Sequence, residues 1–345
     1  MIWLTWRQFR VQFLVIAAVV LAAGVVLAAT GPGLADDYQR LADGFIKSLD
    51  FARLNPVLYQ VGLATLYAVP PVIGAFWGAP LIARELEAGT HRLVWGQSIT
   101  RWRWLAVKVG IGGLATMALT GALSLAVTWW SAPIDKAINA GQESNYYLPR
   151  MFPVTFSGRG LVPVGYAVFA FALGVAVGLA VRRTLVALAV TLAAVILVQV
   201  LTPTLIRPHL MAPTDQYIVA TPANLRGFMI SGPGANAEVK GIEVATNAVG
   251  GWKLTDETVD KSGKAVSTLP PWLIGCEPGG PNQREVSPKA EACFQRLADE
   301  GYKQHVRYFT ADKFWALQWR EFGLFLLLAL GLTGFSFWRI RKDLT

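Results

Sequence analysis

Residues 161–206 read LVPVGYAVFAFALGVAVGLAV, then Arg182-Arg183, then TLVALAVTLAAVILVQVLTPTLI. Neither apolar run contains an Asp, Glu, Lys or Arg. About 20 apolar residues rising 1.5 Å each cross the hydrocarbon core of a bilayer, so the stretch predicts two membrane spans joined by a tight basic turn. Four more windows qualify, at residues 11–29 (interrupted only by Gln12), 58–82, 109–132 and 322–338, the last extended outward by residues 314–319. The 345 residues are 54% hydrophobic and only 15% charged, against roughly 25% charged for soluble proteins. Six uncharged windows account for that deficit, and tryptophans near their ends (Trp3, Trp6, Trp102, Trp104, Trp129, Trp130, Trp315, Trp319, Trp338) suit the membrane–water interface. A cleaved signal peptide is the rival reading of the first window, disfavoured because its apolar run exceeds the usual 7 to 15 or so residues.

The net charge of +9 is compatible with nucleic-acid binding or with membrane orientation, and its distribution decides between them. With six spans, one set of loops comprises the N-terminus, residues 83–108, the Arg182-Arg183 turn and the C-terminus. It holds twelve Lys and Arg against three acids. The other set, residues 30–57, 133–160 and 207–313, holds eighteen of each. The whole excess lies on one face, which the positive-inside bias makes cytoplasmic, with both termini inside. The expected fold is an all-α polytopic membrane protein of six helices, N-in and C-in, with a mixed extracytoplasmic segment between helices 5 and 6. Its expected divisions are an amphipathic connecting helix at 1–10, helices 1–5 over 11–206 with a cytoplasmic coupling loop at 83–108, the outer segment at 207–313, and helix 6 with a cytoplasmic tail at 314–345. The location is the cell membrane.

The outer segment is rich in Gly, Pro, Asn and charge and contains no window long enough to span. Residues 238–245 and 252–259 read as strands, and 287–300 as a helix with Pro288 in its first turn. Residues 302–319 mix aromatic and charged side chains and read as lying in the outer interface. The only cysteines, Cys276 and Cys293, both fall in this segment. An even pair on the oxidising side favours a disulfide, with two unpaired thiols or a redox site as the alternative. Arg320 and Glu321 interrupt the approach to the last span. Snorkelling at the interface is favoured for them over lining a path.

No GxxxxGK[ST] or HExxH occurs, the three histidines are isolated from one another, and Gly110-Ile111-Gly112-Gly113 sits within a span rather than after a strand. The chain therefore is not read as an enzyme. Gly74 and Gly78, and Gly174 and Gly178, have the spacing that lets membrane helices pack closely, within one subunit or across a dimer seam. Pro70-Pro71 predicts a kink in the second span.

Residues 78–90 read GAPLIARELEAGT and continue through Arg92 to Thr100 and Arg101. A span running without a break into a charged helix that stops near Gly89 presents a structured inner loop. This pattern resembles the permease subunits of type-2 ABC exporters, whose Arg-Glu-x-Glu-x-Gly-Thr signature after the second span is carried here by Arg84, Glu85, Glu87, Gly89 and Thr90. The Thr100-Arg101 pair before the third span agrees, and residues 162–166 through Arg182-Arg183-Thr184 look like actinobacterial members. The outer segment is longer than the compact family pattern.

The resemblance implies a multi-pass permease, homodimeric or pseudo-dimeric, docked on a separate ATP-binding subunit that carries the ATP and Mg; this chain has no cofactor of its own. It implies an amphipathic connecting helix over residues 3–13 and a coupling helix over 84–95. Docking residues are then Arg84, Glu85, Glu87, Gly89, Thr90, Arg92, Thr100 and Arg101, with Glu85 and Glu87 pairing with basic groups of the ATPase. A path formed by the second and fifth spans takes its polar groups from Gln60, Thr65, Tyr67, Gln199, Thr202 and Thr204. Their sparseness suits an amphiphilic or hydrophobic substrate such as a drug, lipid or peptide. The expected function is efflux of such a substrate. The alternative is a membrane sensor or assembly protein with a ligand-binding outer domain and a cytoplasmic signalling partner. Nucleic acid is not an expected partner.

Overall fold

The computed structural model describes residues 2–51, 54–90, 100–144, 146–232, 238–276 and 288–342. The chain forms two compact units, Met1–Met211 with Asp312–Thr345, and Ala212–Ala311.

The first unit is helical. It comprises α1 (Ile2–Leu41), α2 (Phe45–Phe51), α3 (Leu54–Ile73), α4 (Ala79–Glu87), α5 (Arg101–Trp130), α6 (Ala132–Asn139), α7 (Pro153–Ser157), α8 (Val162–Val181), α9 (Thr184–Leu201) and, after the second unit, α11 (Phe314–Lys342). A π turn at Gly74–Gly78 joins α3 to α4, and another at Thr202–Ile206 extends α9. Six of these helical stretches are long and apolar enough to cross a membrane, as the sequence windows predict. Their ends differ from the windows. The connecting helix expected at 1–10 and the first span form one continuous helix, α1, which also runs past residue 29 through Pro32 to Leu41. Residues 101–108, expected in the inner loop, are the first turns of α5.

The bundle is organised around α8. Helix α8 is apolar on every side and packs against α3, α4, α5, α9 and α11, as expected of a helix buried all round. By contrast α1 and α9 leave large apolar residues such as Val15, Val25, Leu185, Leu197 and Val200 exposed, the surface that a membrane span turns to lipid or to another chain.

The two glycine pairs meet each other. A Cβ on Gly78 would lie 3.1 Å from Gly174 Cα and 2.5 Å from Phe171 O, and one on Gly174 would overlap Gly74 O and stand 2.6 Å from Ala79 N. Gly178 likewise abuts Ala79 O. Small residues therefore let the π turn and α4 contact the α8 backbone directly. These glycines are used within the subunit rather than at a dimer seam. Helix α3 runs through Pro70-Pro71, and the π turn Gly74–Gly78 follows directly.

In the second unit β1 (Thr214–Ile218), β5 (Lys303–Phe309) and β4 (Trp252–Val259) form an antiparallel sheet in the order β1-β5-β4, and β2 (Leu225–Ser231) pairs antiparallel with β3 (Glu238–Val244). Helix α10 (Pro288–Asp299) places Phe294 and Leu297 in a core with Ile242, Val244, Leu269 and Leu273. Cys276 and Cys293 are bonded. The expected strands at 238–245 and 252–259 and the helix at 287–300 are present to within a residue or two. The interfacial segment expected at 302–319 is not: residues 303–309 are the central strand β5, with Gln304, Val306 and Tyr308 buried and Lys303, His305 and Arg307 on the other face. That period-two pattern is the strand signal. Arg207–Met211 and Asp312–Lys313, expected in the outer segment, belong to the helical unit.

Candidate functional site

The signature of the inner loop lies at the end of α4. Ala88 N donates to Arg84 O (3.1 Å), Gly89 N donates to Leu86 O (3.3 Å), and Gly89 adopts φ +69°. A left-handed residue just beyond the last turn stops a helix, and glycine does so without a Cβ clash. Thr90 Oγ1 donates to Glu85 O (3.4 Å).

The two signature carboxylates are committed to this chain's own helices. Glu85 Oε1 accepts from Lys108 Nζ at 2.5 Å and its Oε2 from Trp104 Nε1 at 3.2 Å. Lys108 also donates to Leu81 O (3.3 Å) and stands 5.1 Å from the Trp104 ring centroid. The side chains of Lys108 and Glu85 are 4% and 15% exposed, and an ammonium so buried is sustained only by a partner of opposite charge and further hydrogen bonds. Glu87 is exposed, and its Oε2 accepts from Thr184 N at 2.9 Å. Arg183, the residue before α9, offers no capping side chain, so the carboxylate supplies from α4 what an N-cap residue would supply locally and sits at the positive end of the α9 dipole. Thr100 caps α5 by accepting from Arg103 N (3.4 Å). Glu85 and Glu87 thus tie the ends of α4, α5 and α9 together.

The carboxylate of Glu85, expected to pair with a partner's basic groups, is taken up by Lys108 and Trp104. It turns inward because a single lysine stands in the otherwise uncharged run of α5 and needs a counter-ion. Lys108 and Trp104 were missed as site residues because Lys108 counts as one more basic residue of a loop when α5 is taken to begin at 109. Arg84 is exposed, Arg101 is the half-buried first residue of α5, and Arg92 lies outside the described residues.

The residues expected along a path are mostly satisfied within their own helices. Thr65 Oγ1 donates to Val61 O (2.7 Å), Thr202 Oγ1 to Val198 O (2.7 Å) and Thr204 Oγ1 to Leu201 O (3.1 Å). Gln199 is the exception, its Nε2 donating to Tyr67 O at 3.1 Å and tying α9 to α3. Gln60 is exposed and Tyr67 half-buried.

At the other end of the bundle the structure gathers charges that the sequence scatters. Arg207 and Glu321 are fully buried, with Nε to Oε2 at 2.7 Å and Nη2 to Oε1 at 2.9 Å. Tyr166 Oη donates to Glu321 Oε1 (3.1 Å), and Arg207 donates further to Ser157 Oγ (2.5 Å) and Pro153 O (3.0 Å) while stacking 4.3 Å from the Phe156 ring. One helical turn earlier, Gln318 Oε1 accepts from Leu161 N and Val162 N, both at 2.9 Å, and its Nε2 donates to Phe156 O (3.0 Å). The α7 turn and the start of α8 are thus pinned to α11. Glu321 is fully buried rather than at a surface, whereas Arg320 is exposed and donates to Leu210 O at 2.7 Å. A second buried pair joins Arg159 Nη1 to both oxygens of Asp135, at 2.6 and 2.7 Å.

A bundle of six membrane-length helices, five of them around a buried sixth, with buried charges paired internally, defines a polytopic membrane protein. The ABC-2 membrane transporter related family matches residues 15–207, more than half of the chain, and the protein belongs to that family. It is accordingly a membrane subunit of the ABC transporter class, not itself catalytic. No curated protein and no solved structure matches the chain.

Proposed function

We propose that this chain is the permease subunit of an ATP-driven exporter, docked through the α4–α5 loop on a separate ATP-binding subunit and moving an amphiphilic or hydrophobic substrate outward. The observation that carries the reading is the Glu85–Lys108–Trp104 and Glu87–Thr184 network at the signature. It clamps three helix ends into one block, so that displacement of the loop by a nucleotide-driven partner is transmitted to α4, α5 and α9 together. The contacts with the partner fall to exposed groups beside that block, Arg84 and Thr90, and to the loop that follows, with Glu85 positioning rather than touching.

Orientation follows from the charges. Arg341 lies 5.2 Å from the Trp102 ring and Trp102 stacks on Phe337 at 4.3 Å, which puts the C-terminal end of α11 beside the start of α5. The basic residues of α4, α5, the Arg182-Arg183 turn and the C-terminus share one end, read as cytoplasmic, and the second unit is then extracytoplasmic. The sensor alternative has no support from the family match.

The test is co-expression with the ATP-binding subunit encoded nearest this gene. Arg84→Glu is expected to abolish co-purification and substrate-stimulated ATP hydrolysis, whereas Arg40→Glu, at the far end of α1, leaves both intact. Equal recovery of the ATPase with both variants would refute docking at this loop.

A further inference from the structure

A cavity of about 170 Å³ opens where α5 passes into α6 and the start of α11 leans over them. It is smaller than the roughly 300 Å³ floor of pockets that enclose drug-sized molecules, so it accommodates a headgroup rather than a whole amphiphile. Its walls carry three cations, Lys136, Arg150 and Arg159, against one carboxylate, Asp135. That carboxylate is already occupied by Arg159 Nη1.

Arg159 is 1% exposed, yet its Nε and Nη2 have no hydrogen-bond partner among the described residues. A buried guanidinium with two idle nitrogens is costly to leave unmet. The Tyr59 ring, 4.7 Å away, covers the face of that guanidinium without accepting from its N–H groups. Arg150 stands 4.9 Å from the Phe314 ring, and Trp315, 46% exposed, lies at the rim. Guanidinium forks match tetrahedral oxyanions in geometry as well as charge, and an exposed tryptophan beside them is the side chain that favours the interface where acyl chains meet headgroups.

We propose that this cavity binds a phosphate-type oxyanion, held by Arg159, Arg150 and Lys136. Two sources carry that chemistry, the phosphate of an anionic lipid and free inorganic phosphate. The site is independent of the docking loop and of the assignment as an exporter.

The experiment uses the full chain purified in detergent and stripped of co-purified lipid phosphorus. Thermal midpoint and native mass are followed during titration with phosphatidylglycerol, with diacylglycerol of the same tails, and with inorganic phosphate. A midpoint that rises with phosphatidylglycerol but not with diacylglycerol identifies a lipid headgroup, and one that rises with inorganic phosphate alone identifies a free anion. In either case Lys136→Gln with Arg150→Gln should weaken apparent affinity about tenfold, read against that variant's own ligand-free midpoint. Arg159→Gln with Asp135→Asn, which removes both buried charges together, should abolish the shift. Absence of a shift with either anion, or equal affinity in wild type and in the Lys136/Arg150 variant, would overturn the proposal.

Discussion

Glu321 and Arg207 stand 114 residues apart in the chain and meet as a two-point ion pair with neither side chain exposed. Removing one partner of such a pair leaves an uncompensated buried charge, which costs about 3–5 kcal/mol. Glu321→Ala is therefore expected to lower the thermal midpoint of the purified protein steeply. The double variant Arg207→Met with Glu321→Leu, which removes both charges, should recover much of that loss. A Glu321→Ala midpoint equal to wild type would mean that the pair contributes nothing.

The glycine contacts yield an ordered series. Gly174→Ala and Gly78→Ala put a methyl group against backbone atoms at 2.6 and 2.5 Å, contacts that a packed interior relieves only by shifting helices, at about 1–3 kcal/mol. Gly110→Ala and Gly121→Ala have open space around the added carbon and replace the poorer helix former, so they should be neutral or stabilising by up to about 1 kcal/mol. Thermal unfolding of the four single variants checks the order.

The Cys276–Cys293 bond closes a separation of 17 residues, for which the chain-entropy model gives about 3 kcal/mol. Reduction should accelerate proteolysis within the second unit while sparing the helical one. Because the chain has no other cysteine, a membrane-impermeant maleimide applied to intact cells should label it only after treatment with a reductant. Labelling that appears only after lysis would place the second unit on the inner side.

Asp260 accepts from Ser262 Oγ (2.6 Å), Ser262 N (2.8 Å) and Lys264 N (3.1 Å). These bonds, the Ser262 hydroxyl first, hold its carboxyl below the ordinary carboxylate range. A depressed folded-state pKa contributes stability above the unfolded value of about 3.9 and loses it as pH falls through the lower, folded one. The difference in thermal midpoint between wild type and Asp260→Ala should therefore be constant at neutral pH and shrink below about pH 4. A difference that grows with acid would contradict the hydrogen-bond account.

Much of the helical unit was legible in advance. Span number, the Arg182-Arg183 turn, the stop at Gly89 and the signature itself depend on apolar run length and on local backbone preferences, and both are properties of neighbouring residues. Charge counting was local too, and for that reason it misread Lys108. A lysine 23 positions after Glu85 has no sequence mark that distinguishes a loop cation from a buried counter-ion. The strand at Lys303–Phe309 was obscured because its aromatic and charged residues also fit an interfacial helix, and only pairing with β1 and β4 chose between the two periods.

By itself, then, the sequence determined that this is a six-span membrane protein with one basic face and a polar segment before the last span, because water exclusion acts on runs of residues wherever they pack. Only the tertiary structure decided which charges those spans bury. Glu85 with Lys108, Arg207 with Glu321 and Arg159 with Asp135 each join residues from different segments of the chain. The cost of a charge away from water is met only by whatever the fold brings within hydrogen-bond distance.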